Sequence, residues 1–246
     1  MSGTPAIPEI GASSQDIENI VEGGRASHNA ASRTLSTFSI AASLTVILPT
    51  RWSDQDRNKL LTISEDGRSL HFHTPSSTGV KEAAAARANH PIPPAYDIYY
   101  FEVTILDKGR KGHISVGFAS SDVSLNRLPG WERDSWGYHG DDGNAFASAR
   151  DGTPFGPRFT TGDVIGCGID FILSKAFYTK NGVMLGYAFE NIGRDKELYP
   201  AVGLRTINEA VKVNFGQDSF VYDISEYHDH HAQDRNHESL SKDGSE

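Results

Sequence analysis

Between residues 46 and 226 the apolar residues come in runs too short for helices, and the runs are separated by glycine-rich or polar turn chemistry at close spacing. That pattern is the signature of antiparallel strands joined by tight turns. Leu60-Leu61-Thr62-Ile63 leads through Glu65-Asp66-Gly67 into Ser69 to His73, and the Asp-Gly pair supplies the positive φ that a hairpin needs. Tyr99 to Leu106 is followed by a Gly/Lys/Arg turn at 108–112 and then by Ile114 to Ala119. Val164 to Phe171, Lys175 to Thr179 and Met184 to Phe189 form a meander whose Asn181-Gly182 pair is the strongest short hairpin signal in the chain. Tyr199 to Leu204 and Val211 to Phe215 add two more strands, while Ala83 to Arg87 is predicted as a helical turn. With no long amphipathic helix and no repeat period, the expected fold is all-β, a sandwich that closes one core between two antiparallel sheets.

Composition agrees. The 246 residues include 24 Gly, 11 Pro, 12 Phe, 9 Tyr and 3 Trp, which suits a turn-rich globular chain with enough length to bury a core unaided. The expected organisation is a loosely ordered leader over 1–45, one β-sandwich domain over 46–226, and a disordered acidic, His-rich tail over 227–246. The net charge of −9 lies mostly outside the centre: residues 1–45 hold four acids and two bases, residues 222–246 seven and two. The nearly balanced middle lacks the basic stripe that binding to a phosphate backbone needs, so nucleic acid is not expected as a partner. The longest apolar stretch, Phe38 to Leu48, is far short of the ~20 residues of a membrane span, and the first residues have neither the basic start nor the apolar core of a secretion signal. A single cysteine, Cys167, fits a reducing compartment, so the expected location is cytoplasmic, nuclear or both, with no membrane partner.

Few motifs carry chemistry of their own. His139-Gly140-Asp141-Asp142-Gly143 sets an imidazole beside two carboxylates, but no further ligands are spaced around it, and it reads as a polar surface turn. Cys167 sits inside an apolar strand with no local activating base and reads as a buried thiol. His228, His230 and His231 lie in the tail, where a fixed metal geometry is not expected. Gly109-Arg110-Lys111-Gly112 lacks the spacing and helix of a phosphate loop and reads as a charged hairpin turn. No nucleophile, acid and base arrangement stands out, so neither an enzyme, a cofactor nor a metal site is expected.

Residues 46–226 resemble a SPRY domain, of the type found in the Ran-binding-protein-M scaffolds of GID/CTLH ubiquitin ligases. The blocks that carry the likeness are His90-Pro91-Ile92-Pro93, Tyr99 to Val103, NRLPGW at 126–131, WGYHGDDG at 136–143, FTTGDVIGCG at 159–168, FYTKNG at 177–182, YPAVGL at 199–204 and VNFGQ at 213–217. The resemblance implies a bent, concanavalin-like β-sandwich with a protein- or peptide-binding surface on the loops at one rim. It also implies possible partnership with GID/CTLH ubiquitin-ligase subunits. Scaffolds of this type continue into helical oligomerisation regions, and this chain ends about 20 residues past Tyr227, as a truncated sequence, a shortened paralogue or a splice form would. A secreted SPRY effector acting on host proteins is the competing reading, and it would normally begin with a secretion signal.

Related SPRY-box receptors hold an Asn-rich peptide on three loops, and the resemblance carries those positions onto this chain. They are His73, Thr74, Pro75 and Ser76 after the Phe72 strand, Phe146 and Arg150 after WGY, and Arg205, Thr206 and Ile207 between the last two strands. Phe146 stands where the receptors have a tyrosine, and Arg205-Thr206-Ile207 replaces a Val-Trp-Gly stretch, so a different partner is expected. Each position has a plainer alternative. Phe146 reads equally as core, and Arg150 and Arg205 as solvated charges of small energetic weight. Trp131 and Trp136 are expected to pack back on the sandwich.

Overall fold

The computed structural model describes residues 46–73 and 83–227, and the leader at 1–45 lies outside them. One sheet is built from β1 (Trp52–Arg57), β4 (Ala84–Ala88), β6 (Ser115–Ser120), β7 (Ser135–His139), β8 (Asn144–Ala147), β9 (Thr153–Pro154) and β13 (Leu198–Leu204), in the order β1-β4-β13-β6-β7-β8-β9. The other holds β2 (Leu61–Ile63), β3 (Ser69–Phe72), β5 (Ile98–Lys108), β10 (Val164–Asp170), β11 (Lys175–Lys180), β12 (Val183–Glu190) and β14 (Glu209–Asn214), in the order β12-β11-β10-β5-β14-β3-β2. Every pairing is antiparallel. The two sheets close into the sandwich expected from the sequence.

The hairpins form where the turn residues demanded them. Asn181 and Gly182, both left-handed at φ 51° and 77°, join β11 to β12, and Gly67 at φ 73° turns β2 into β3. Alternation along β5 divides its side chains between two environments. Phe101, Val103 and Ile105 enter the main core between the sheets, while Ile98 and Tyr100 join a separate cluster on the outer face. Inside the main core, Tyr178 of β11 donates its hydroxyl to the Val116 carbonyl of β6 at 3.0 Å, a polar link between sheets at a fully buried site. Cys167, 1% exposed, lies in the same core, and burial pushes its thiol up to about 12.

Two expectations need correction. Residues 84–88 form a strand and not a helical turn: all five are buried between β1 and β13, and this long-range pairing outweighs the helical preference of alanine. Their one charge, Arg87, is 3% exposed and satisfied by a two-pronged pair with Asp56 and by the carbonyls of Ser120, Ser121 and Val123. The tail does not begin at Tyr227. That ring is 5% exposed and stacks on Phe177 with centroids 4.4 Å apart, and its hydroxyl donates to the buried Asp170 carboxylate at 3.1 Å. The segment leading to it covers the outer face of the second sheet, with Phe220 and Tyr222 against Tyr100, Ile224 packed on the same cluster, and the Val221 and Tyr222 amides donating to buried Glu102. His228, His230 and His231 lie outside the described residues.

Candidate partner-binding rim

At one end of the sandwich the β13–β14 loop, the β5–β6 loop and the Leu128–Trp131 turn meet; β5 and β6 lie in different sheets, so residues 108–112 cross from one sheet to the other and do not form the hairpin turn expected from the sequence. The two loops share an anchor in Glu209, at the start of β14 and 0% exposed. Its carboxylate accepts hydrogen bonds from the amides of Arg205 at 2.5 Å and Thr206 at 2.8 Å, from the Thr206 hydroxyl, and from the His113 amide at 2.8 Å. Burial nonetheless holds its carboxyl above the ordinary range, with the hydrogen bonds opposing that rise. One side chain therefore fixes both the β13–β14 loop and the far end of the β5–β6 loop.

Arg205 lies over Trp131, with its guanidinium carbon 5.4 Å from the ring centroid, and Arg127 lies at 5.0 Å from the same ring. Trp131 is thus half-buried beneath two cations rather than folded fully into the sandwich. Trp136 does pack inward, stacked on Phe118 at 5.2 Å. Ile207, next along the loop, is 51% exposed. Beside it a shallow cavity of about 470 Å³ runs across β3, β14 and β5, lined by His71, His73, Leu106, Asp107 and Ile207 among others.

The structure brings His73 and Ile207 together on this cavity, and places Arg205 and Thr206 at its border. Thr74, Pro75 and Ser76 lie outside the described residues. Arg150 is exposed, and the Ala149 amide beside it donates to the Gly130 carbonyl at 3.1 Å, which sets it next to the Trp131 turn. Phe146 is a support and not a surface group. It is 5% exposed and stacked on His139 at 4.0 Å, because β8 turns this face toward the Leu128–Trp131 turn.

His139 also corrects the reading of a surface turn. It is 2% exposed, with Nε2 donating to the Pro129 carbonyl at 2.9 Å, and burial lowers its pKa to about 4. The two carboxylates that follow diverge. Asp141 lies 3.3 Å from His113 Nε2, whereas Asp142 accepts from the Asn144 amide at 2.9 Å. Among the described residues no three His, Cys, Asp or Glu side chains converge to hold a metal ion. Glu209 and the Arg205–Trp131 contact were not anticipated. The signal for Glu209 was an acid two residues before the alternation Val211, Val213, Phe215, where an apolar residue belongs.

Comparison with known proteins places the fold. The SPRY domain pattern matches residues 98–218. Ran-binding protein 9 of Danio rerio is 49% identical over 180 residues, 73% of this chain and 30% of that protein. The Homo sapiens Ran-binding protein 9 gives 49% over 73% of this chain and 24% of its own length. The Ran-binding protein M homolog of Arabidopsis thaliana is 38% identical over 74% of this chain and 38% of its own length. The matched region thus spans well under half of these relatives. The SPRY domain of human HERC1 shares the fold at a TM-score of 0.57 and 21% identity. A crystal structure of a human SPRY domain superposes with a TM-score of 0.57 at 34% identity, covering 65% of this chain and 98% of that domain. Because the chain covers 98% of a solved SPRY domain at 34% identity, it belongs to the SPRY family, and over 73% of its own length it is similar to Ran-binding proteins.

Proposed function

We propose that this chain is a non-catalytic docking module that holds an extended peptide or protein segment on the rim formed by His73, Arg150, Arg205, Thr206 and Ile207. The observation that carries this reading is Glu209. A carboxylate sequestered at 0% exposure and devoted to loop amides holds an exposed apolar residue and a stacked arginine in place before any partner arrives. Preorganisation of that kind lowers the ordering cost of binding on the protein's own side. Family membership supports a protein-interaction role. The finer assignment, that it serves as the substrate- or partner-docking part of a GID/CTLH-type ubiquitin-ligase scaffold in the cytoplasm or nucleus, rests on the likeness to the Ran-binding-protein-M type.

The test is selection of a displayed random-peptide library on the intact chain, followed by fluorescence anisotropy with the enriched peptides. Arg205→Glu and Ile207→Asp are each expected to weaken binding by about tenfold or more, with melting temperatures within about 2 °C of the wild type, as for surface changes remote from the core. Enriched peptides that bind both variants as well as the wild type, or no enrichment at all, would refute the assignment.

A further inference from the structure

The rim has a charge pattern that the docking reading does not use. β5 leaves the cavity through Leu106 and Asp107 and runs directly into Lys108-Gly109-Arg110-Lys111. Lys108, Arg110 and Lys111 are all exposed, and among the described residues none of them forms an ion pair. Asp107 offsets part of this charge, but its carboxylate is turned onto the loop's own backbone, accepting from the Gly109 amide at 2.7 Å. The other acids at this end are already engaged: Asp141 with His113, and Glu209 with loop donors. In a chain of net charge −9, this rim therefore carries a concentrated positive spot.

That spot is held still. Gly109, at φ 61°, packs so closely on the β13–β14 loop that a Cβ there would lie 2.7 Å from the Ile207 carbonyl oxygen. The Lys108 amide donates to Thr161 Oγ1 at 3.0 Å, the Gly112 amide to the Lys108 carbonyl at 2.9 Å, and the His113 amide to Glu209. Directly alongside are the exposed side chains of Leu106, 40% accessible, and Ile207, 51% accessible. An apolar seat and a fixed cationic arm thus share one border.

Resting on the docking reading, we propose that the partner is a protein segment in which an apolar residue is followed closely by a cluster of carboxylates. The apolar side chain sits against Leu106 and Ile207, and the carboxylates face Lys108, Arg110 and Lys111. Charges exposed at a rim act chiefly on association rate, salt dependence and rejection of wrong partners, with little effect on final packing. A nucleic acid fits less well, since three cations beside Asp107 are too few to follow a phosphate backbone and the seat is apolar.

The experiment selects the same random-peptide library in parallel on the wild type and on the triple variant Lys108→Glu/Arg110→Glu/Lys111→Glu. The wild type is expected to enrich peptides with Asp or Glu beside Leu, Ile or Phe, and the variant to lose that acidic bias while keeping the apolar one. For a wild-type-selected peptide, the association rate is expected to fall several-fold on the variant, and its salt dependence to flatten. Peptides that depend on Arg205 and Ile207 but show no acidic bias would overturn this proposal alone. Failure to enrich any rim-dependent peptide would instead overturn the docking reading. A single-stranded oligonucleotide that displaces the selected peptide as well as the unlabelled peptide does would assign the cationic arm to nucleic acid and refute the proposal.

Discussion

Glu209→Ala tests whether one buried carboxylate organises the rim. The substitution removes four hydrogen bonds to an ionisable acceptor, from the Arg205, Thr206 and His113 amides and the Thr206 hydroxyl. Taken singly, each is worth about 1.5–3 kcal/mol, but they share one acceptor and are not additive. Arg205, Thr206 and His113 are only half-buried, so water can reach part of what is lost. Removal also relieves the burial that holds the carboxyl above its ordinary range. The balance is a destabilisation of about 3 kcal/mol, which for a domain of this size lowers the melting temperature by roughly 6–12 °C. Differential scanning calorimetry reads the shift, and amide hydrogen exchange at 204–209 and 108–113 shows whether both segments loosen together. The raised pKa fixes the sign of the pH-dependent part of the Glu209 contribution, which is full below the unfolded value near 4.5 and is lost as pH rises through the higher folded value. The gap between wild type and variant should therefore widen on acidification. A variant melting within about 2 °C of the wild type, or one in which only the loop loosens, refutes the role given to this side chain.

Two further predictions follow from buried groups. His139, held near a pKa of about 4, stays neutral in the folded state, so it contributes about 3 kcal/mol that is present above its unfolded value near 6.5 and lost as pH falls toward 4. Its ring resonances should stay flat down to about pH 5 in an NMR titration, and a midpoint near 6.5 would contradict the burial described. Tyr227→Ala removes a ring stacked on Phe177 and leaves the buried Asp170 without one of its donors, at an expected cost of about 3 kcal/mol in chemical denaturation. A loss under about 0.5 kcal/mol would mean that this ring contributes no more than an ordinary surface residue.

The hairpins were legible in the sequence because their turn residues have no alternative: Asn181-Gly182 and Asp66-Gly67 leave the backbone little to do but reverse. The strands β1, β7 and β8 were not read as strands, because β1 and β7 carry no continuous apolar run and β8 offers only Ala145-Phe146-Ala147. β1 contributes the buried Trp52 amid charged and polar neighbours, and β7 alternates glycine with aromatics beside the sequence that looks like a polar turn. What identifies such strands is their partners across the sheet, and pairing is a long-range property that no local window contains. The same reason hid Ala84–Ala88, which local preference assigns to a helix.

The rim shows the converse. The resemblance singled out Arg205, Thr206 and Ile207 as candidates, but their arrangement depends on an acid at the head of the next strand, and no rule based on residue type gives a buried glutamate the task of holding a loop. Phe146, which the sequence leaves equally open as a rim position or as core, is buried: a loop position inherited from a likeness says nothing of which way the side chain faces. Here His139, itself buried by the Pro129 carbonyl that satisfies it, supplies the surface on which that ring stacks. Local chemistry thus decides where the chain turns, and tertiary pairing decides which of the residues near each turn remain free to meet a partner. At this rim Ile207 and the three cations of the β5–β6 loop stay exposed, and because Glu209 holds both loops that carry them, a change at that carboxylate puts their arrangement at risk.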